Sequence, residues 1–105
     1  MRHWTPQELD RQLKNTQHPP QILDVREQWE YDIAHLPGST LIPLGSLMHN
    51  MGELDKSCAW VVVCHHGVRS AQACYYLERN GFDVINLSGG LDRWAKEIDL
   101  DMPLY

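Results

Sequence analysis

Seven consecutive residues, Cys64-His65-His66-Gly67-Val68-Arg69-Ser70, combine a nucleophile, a turn residue, a permanent cation and a hydroxyl. If the segment curls around the sulfur, the backbone N–H groups from His65 to Ser70 converge on it as an anion-binding nest. A following helix adds its positive dipole end. Such surroundings favour a thiolate. At an ordinary pKa of about 8.5 a cysteine is only about 3% ionised at pH 7, whereas a pKa of about 6.5 makes roughly three-quarters of it nucleophile. Arg69 strengthens the effect, because its guanidinium presents a planar set of donors to an oxyanion. The chemistry implied is nucleophilic catalysis by Cys64.

Positioning a thiol this way takes a rigid strand before it and a helix after it. Trp60-Val61-Val62-Val63 reads as a strand buried on both faces, as in a parallel sheet covered by helices, and Cys64 stands at its carboxyl end. A helix is expected from about Ser70 to Asn80, with Ser70, Ala73, Cys74 and Leu77 at i, i+3, i+4 and i+7 facing the sheet. Cys74 is therefore a small buried thiol. Cys58, just before the strand, is expected to be more exposed.

The remaining elements alternate in type. Thr5-Pro6-Gln7-Glu8 has the pattern of a capping box with proline at the first helical position, and starts a helix to about Asn15 with Leu9 and Leu13 on one face. Pro19 and Pro20 stop it. Ile22 to Val25 reads as a short buried strand interrupted by Asp24 and followed by Arg26. That charged pair is either an ion pair or cap holding the neighbouring backbone, or a direct substrate contact. Glu27 to Tyr31 reads as a short helix with Trp29 as an apolar anchor. A turn at His35-Leu36-Pro37-Gly38 leads to a strand from Thr40 to Ile42, and His35 reads as a hydrogen-bonded structural histidine. Gly45 to Leu54 forms irregular helical turns whose methionines, Met48 and Met51, fill core gaps. Val84 to Leu87 reads as the last strand, and Ser88-Gly89-Gly90 as a tight turn into a helix through about Ile98. The glycines match neither a Walker loop nor a dinucleotide fingerprint.

Length and composition narrow the function classes. With 105 residues and 43% hydrophobic content, the expectation is a single domain over residues 1–105 with one modest core. A net charge of −5 lacks the basic face needed for nucleic acid or an anionic membrane. Three cysteines without paired spacing point away from a disulfide framework or a four-cysteine zinc site, and toward a reducing compartment. Cys64, His65 and His66 together lack a second ligand cluster, so no metal and no cofactor are expected. No apolar leader or membrane-length run is present, which reads as a cytoplasmic protein.

From Ile22 to Trp94 the chain resembles a single-domain rhodanese, a sulfurtransferase. The matching pieces are Leu23-Asp24-Val25-Arg26 with Glu27 and Tyr31, His35-Leu36-Pro37-Gly38 leading to Ile42-Pro43, the loop Cys64-x-x-Gly67-x-Arg69-Ser70, and Gly89-Gly90 followed by Trp94. The order and spacing of these fragments carry the resemblance. It implies an α/β fold, with a small mostly parallel five-stranded sheet flanked by helices on both faces. It also implies a sulfane sulfur carried as a persulfide on Cys64, with the loop from His65 through His66, Gly67, Val68 and Arg69 to Ser70 holding it. Donors would be small sulfur-containing anions such as thiosulfate. Acceptors would be cyanide or a small thiol, and a protein donor or acceptor is compatible. Arg69 would orient the donor or persulfide electrostatically, and Asp24 and Arg26 would support the loop's shape. His65 and His66 occupy positions that vary in such proteins; they either tune substrate preference or are solvated, and neither reads as a general base.

Two rival readings follow from the same residues. Cysteine-dependent phosphatases and arsenate reductases also use an amide-lined loop and an arginine, but only four residues separate Cys64 from Arg69, one fewer than in those loops. The tighter ring crowds a tetrahedral phosphoryl group. A partner-binding or sulfur-carrier module without independent turnover is the alternative outside enzymes, and the intact Cys64 argues against an inactive copy.

Overall fold

A computed structural model describes residues 1–105. Five strands, β1 (Arg2–Trp4), β2 (Gln21–Asp24), β3 (Thr40–Leu41), β4 (Trp60–Val63) and β5 (Val84–Leu87), form one sheet in the order β1-β5-β4-β2-β3. Every neighbouring pair is parallel. Five helices accompany it: α1 (Pro6–Asn15), α2 (Gln28–Ile33), α3 (Leu47–Asn50), α4 (Val68–Arg79) and α5 (Gly90–Glu97). The strand carrying Cys64 thus lies at the centre, between β2 and β5, and α3 is flanked by tight turns at Leu44–Ser46 and Met51–Glu53.

The alternation of side chains along each strand divides the interior in two. Leu23, Trp60, Val62 and Val84 point to one face, where Leu47 of α3 and Ala73, Cys74 and Leu77 of α4 cover them. Ile22, Val61, Val63, Ile85 and Leu87 point to the other, under Leu9 of α1 and Leu91 and Trp94 of α5. Val61, Val62 and Val63 are completely buried, and burial of a valine side chain is worth about 2 kcal/mol. No helix is long and apolar enough to cross a membrane.

Local signals account for the helix starts. The Thr5 hydroxyl accepts the Glu8 amide at 3.2 Å while the Glu8 carboxylate accepts the Thr5 amide at 3.3 Å, a reciprocal cap that starts α1 at Pro6. Helix α4 begins at Val68, two residues before the expected Ser70, because Gly67 caps it with φ +93°. Three placements differ from the sequence expectation. The parallel edge strand β1 has no counterpart among the strands expected from the sequence, because its exposed residues Arg2 and His3 carry no apolar pattern. Trp29 is 60% exposed rather than a buried anchor, and its ring meets that of Tyr105 edge-on at 5.7 Å between ring centres. Met48 is 71% exposed, while Met51 does pack on the core.

Candidate active site

The Cys64 sulfur lies where β4 hands over to α4. The Gly67 N–H donates to it at 3.1 Å and the Ser70 N–H at 3.3 Å. The thiol in turn donates to the Ser70 hydroxyl at 3.3 Å. Two loop amides at the amino end of a 12-residue helix therefore converge on one sulfur. Of the amides from His65 to Ser70 expected to converge, those of Gly67 and Ser70 reach the sulfur. Cys64 is 1% exposed, so the loop encloses the sulfur closely.

A polar chain continues behind it. The Ser70 hydroxyl donates to Asn86 Oδ1 at 2.5 Å, and Asn86 Nδ2 donates to the Gly67 carbonyl at 3.3 Å. Asn86 Nδ2 also lies 3.3 Å from His3 Nδ1, across the β1–β5 pairing that sets His3 opposite Asn86. One buried amide thus fixes both ends of the turn that grips the sulfur. With the Ser70 proton committed to Asn86, the hydroxyl offers a lone pair to the thiol. A hydroxyl rotates freely, so the same group can donate to a thiolate.

Helix α5 braces the loop from the other side. Its first-turn amides, Leu91 N–H and Asp92 N–H, donate to the carbonyls of Cys64 and His65 at 2.8 and 3.0 Å. The approach is so close that a Cβ on Gly90 would sit 2.6 Å from the Cys64 carbonyl oxygen and overlap the His65 carbonyl. Gly90 also has φ +63°, so the glycine is needed on both counts.

Two charged pairs, Asp24 with Arg26 and Glu30 with Arg69, lie around the loop. Arg26 is 1% exposed and Asp24 is fully buried. The guanidinium meets the Asp24 carboxylate through Nε at 2.9 Å and Nη2 at 2.7 Å, and donates further to the carbonyls of Glu30 and Ala34 at 3.3 and 2.7 Å. Burial opposes the Arg26 charge, but its hydrogen bonds to Asp24 and Tyr105 outweigh that and raise its pKa. Asp24 and Arg26 thus form an ion pair whose arginine also holds neighbouring backbone.

Arg69 is held by Glu30, with Nη1 to Oε1 at 2.6 Å and Nη2 to Oε2 at 2.9 Å. The hydrogen bond from Arg69 is the main reason that Glu30 is pushed down to about 2, and burial works against it. Tyr105 completes this group: its hydroxyl donates to Glu30 Oε2 at 2.8 Å and accepts from Arg26 at 2.9 Å, while burial pushes its own pKa up to about 12. In this resting arrangement it is the loop amides that bond the sulfur, while the guanidinium docks α2 against the start of α4.

His65 and His66 flank the site without touching the sulfur. The His65 ring lies between those of His66 and Tyr105, at 4.0 and 4.2 Å between centres. Burial, then the neighbouring His66, hold its pKa below the ordinary 6.5. Val68 is 65% exposed at the rim. Cys74 is buried and pushed up to about 12, and Cys58 lies away from Cys64, beside the Asp55 carbonyl at 3.4 Å.

Glu30, Asn86 and Tyr105 escaped the sequence reading. Asn86 had a signal, since it is a polar residue inside the apolar strand Val84-Ile85-Asn86-Leu87, as Asp24 is inside its own. Glu30 had half of one, being spaced to cap its own helix: its Oε1 accepts the Glu27 amide at 2.9 Å. Nothing local announced its partner. Tyr105 had none.

Comparison with known proteins identifies the family. The profile of the rhodanese-like domain matches residues 5–97. The chain is 36% identical over 104 residues to the probable adenylyltransferase/sulfurtransferase MoeZ of Mycobacterium tuberculosis, covering 96% of this chain and 26% of that protein. It thus spans about a quarter of that relative's length. It is 37% identical over 75 residues to the thiosulfate sulfurtransferase GlpE of Shewanella oneidensis, covering 70% of this chain and 74% of the relative. The crystal structure of a rhodanese-like domain protein from Staphylococcus aureus superposes with a TM-score of 0.86 at 37% identity, covering 93% of this chain and 95% of that one. The chain belongs to the rhodanese-like family.

Proposed function

We propose that the chain is a sulfurtransferase that moves a sulfane sulfur through a persulfide on Cys64. The observation that carries this reading is the pair of amides, Gly67 and Ser70, aimed at the Cys64 sulfur from the amino end of α4. They suit a charged sulfur in two successive states, the thiolate and the terminal sulfur of a persulfide.

The Cys64 thiol first loses its proton to solvent. The thiolate attacks the outer sulfur of thiosulfate, and the donor's S–S bond breaks with its electron pair leaving on sulfite. Cys64–S–S⁻ results. In the second half, cyanide attacks the terminal sulfur and leaves as thiocyanate, or a thiolate acceptor leaves as its own persulfide; either way the Cys64 thiolate returns. Ser70 can turn its hydroxyl toward the charged sulfur during the cycle. Closing the Arg69 charge with Glu30 leaves the transfer step to fixed amide dipoles, which need no reorganisation as charge moves. The cycle requires reduced Cys64, which a reducing compartment such as the cytoplasm supplies.

The test is intact-protein mass spectrometry before and after thiosulfate, with Cys64→Ser beside the wild type. The wild type gains one sulfur atom that cyanide then removes, and Cys64→Ser gains none. A wild type that gains no sulfur from thiosulfate or from protein persulfides rules out the sulfurtransferase reading.

A further inference from the structure

Two imidazoles and a carboxylate meet beside the loop, and the sulfur chemistry uses none of them. In sequence, His65 and His66 lack a third ligand of their own kind. The fold adds one, because the α5 turn that braces the loop brings Asp92 alongside. One nitrogen of each histidine and one Asp92 oxygen lie within 4.8 Å of one another. The His66 Nε2 to Asp92 Oδ2 distance is 3.8 Å. Donors around a tetrahedral zinc ion sit about 3.4 Å apart, given bonds of about 2.0–2.1 Å. A modest swing of the His66 side chain, which is 64% exposed, closes the set.

Two further features point the same way. His65 Nδ1 is the one buried side-chain polar atom without a hydrogen-bond partner. An orphan of this kind costs about 1–3 kcal/mol and calls for an occupant. A cavity of about 10 Å³ lies against both His65 and Asp92, with room for a single water. The backbone is already fixed, since the Asp92 amide donates to the His65 carbonyl at 3.0 Å.

We propose that His65, His66 and Asp92 form a binding site for a borderline divalent cation of the Zn²⁺ type, with water as the fourth ligand. Two imidazoles and one carboxylate suit Zn²⁺, whereas Mg²⁺ and Ca²⁺ require mostly oxygen donors. Lys96 competes for the site, holding Asp92 Oδ2 at 2.9 Å. Its side chain is 60% exposed, and such a surface pair is worth at most about 1 kcal/mol, so the cation displaces it. A bound ion would tie the first half of the sulfur-holding loop to α5. The site stands independently of the persulfide reading, since Cys64 is not a ligand.

The test uses the Cys58→Ser, Cys64→Ser protein, so that no accessible thiolate captures the metal; Cys74 stays buried. Zn²⁺ is titrated in competition with a chelating dye, with Mg²⁺ as the control, and circular dichroism confirms that each variant is folded. One Zn²⁺ binds per chain, and His66→Ala and Asp92→Asn each weaken it by at least about tenfold, the loss that even an outer-shell change produces at a metal site. Lys96→Met, at an exposed position, binds tighter. Absence of Zn²⁺ binding in the parent protein, or binding indifferent to both His66→Ala and Asp92→Asn, overturns the assignment.

Discussion

Glu30 and Arg69 face each other through two parallel hydrogen bonds of 2.6 and 2.9 Å, joining α2 to the helix that follows Cys64. The pair is one-sided in its exposure: the Glu30 side chain is 5% exposed and that of Arg69 35%. Glu30 is therefore the member whose charge depends on its partner. Its value of about 2 lies below the ordinary 4.5, so its contribution to stability is complete above about pH 4.5 and is lost as pH falls through about 2. Glu30→Gln lowers stability at pH 7, and the gap between variant and wild type narrows between pH 4.5 and 2 in urea unfolding curves. A gap that stays constant across that range contradicts the assignment.

The buried pair behind the loop makes a harsher prediction. Asp24→Asn leaves the Arg26 guanidinium buried without its counter-charge, a change that costs about 3–5 kcal/mol. Urea denaturation measures this directly. A loss below about 1 kcal/mol would show that Tyr105 and the Glu30 and Ala34 carbonyls hold Arg26 unaided.

Ser70→Ala removes the one hydroxyl at the sulfur while leaving the Ser70 and Gly67 amides in place. Sulfur transfer to cyanide falls by about tenfold to a hundredfold, below the loss of a full oxyanion donor because two donors remain. Steady-state rates with thiosulfate as donor test it. An unchanged rate would mean that the hydroxyl serves only Asn86.

Gly90→Ala places a methyl group against the Cys64 and His65 carbonyls, at a positive φ that alanine resists. The clash is with backbone on both sides, so neither partner can rotate away. A loss of about 3 kcal/mol or more follows, with a drop in thermal midpoint of more than about 10 °C for a domain of this size. Differential scanning calorimetry distinguishes this from the few tenths expected of an open turn such as that at Gly45, where nothing lies within 4 Å.

The parts legible in the sequence were those whose causes are local. Thr5 and Glu8 cap α1, the three valines before Cys64 announce a strand with both faces covered, and the glycine three residues after Cys64 marks the turn. That backbone amides would reach the Cys64 sulfur was legible because they need no particular side chain to supply them. The illegible parts are long-range pairings. Arg69 was expected beside the donor, and its grip by Glu30 depends on how α2 lies against α4, a matter of tertiary packing. The exposure of Trp29 has the same origin: its apolar character predicted burial, but the ring that reaches it comes from Tyr105, far along the chain.

The strand order bears on the protein's synthesis. Because β5 pairs with both β4 and β1, a nascent chain that ends at Arg79 already carries Cys64 but leaves β4 as an open sheet edge. Asn86, Gly90 and the α5 amides have yet to arrive. On the ribosome, where residues emerge in order, the thiol therefore exists before the cradle that governs it. The elements from β5 to α5, which follow Cys64 in order, therefore complete its surroundings only as the sheet closes.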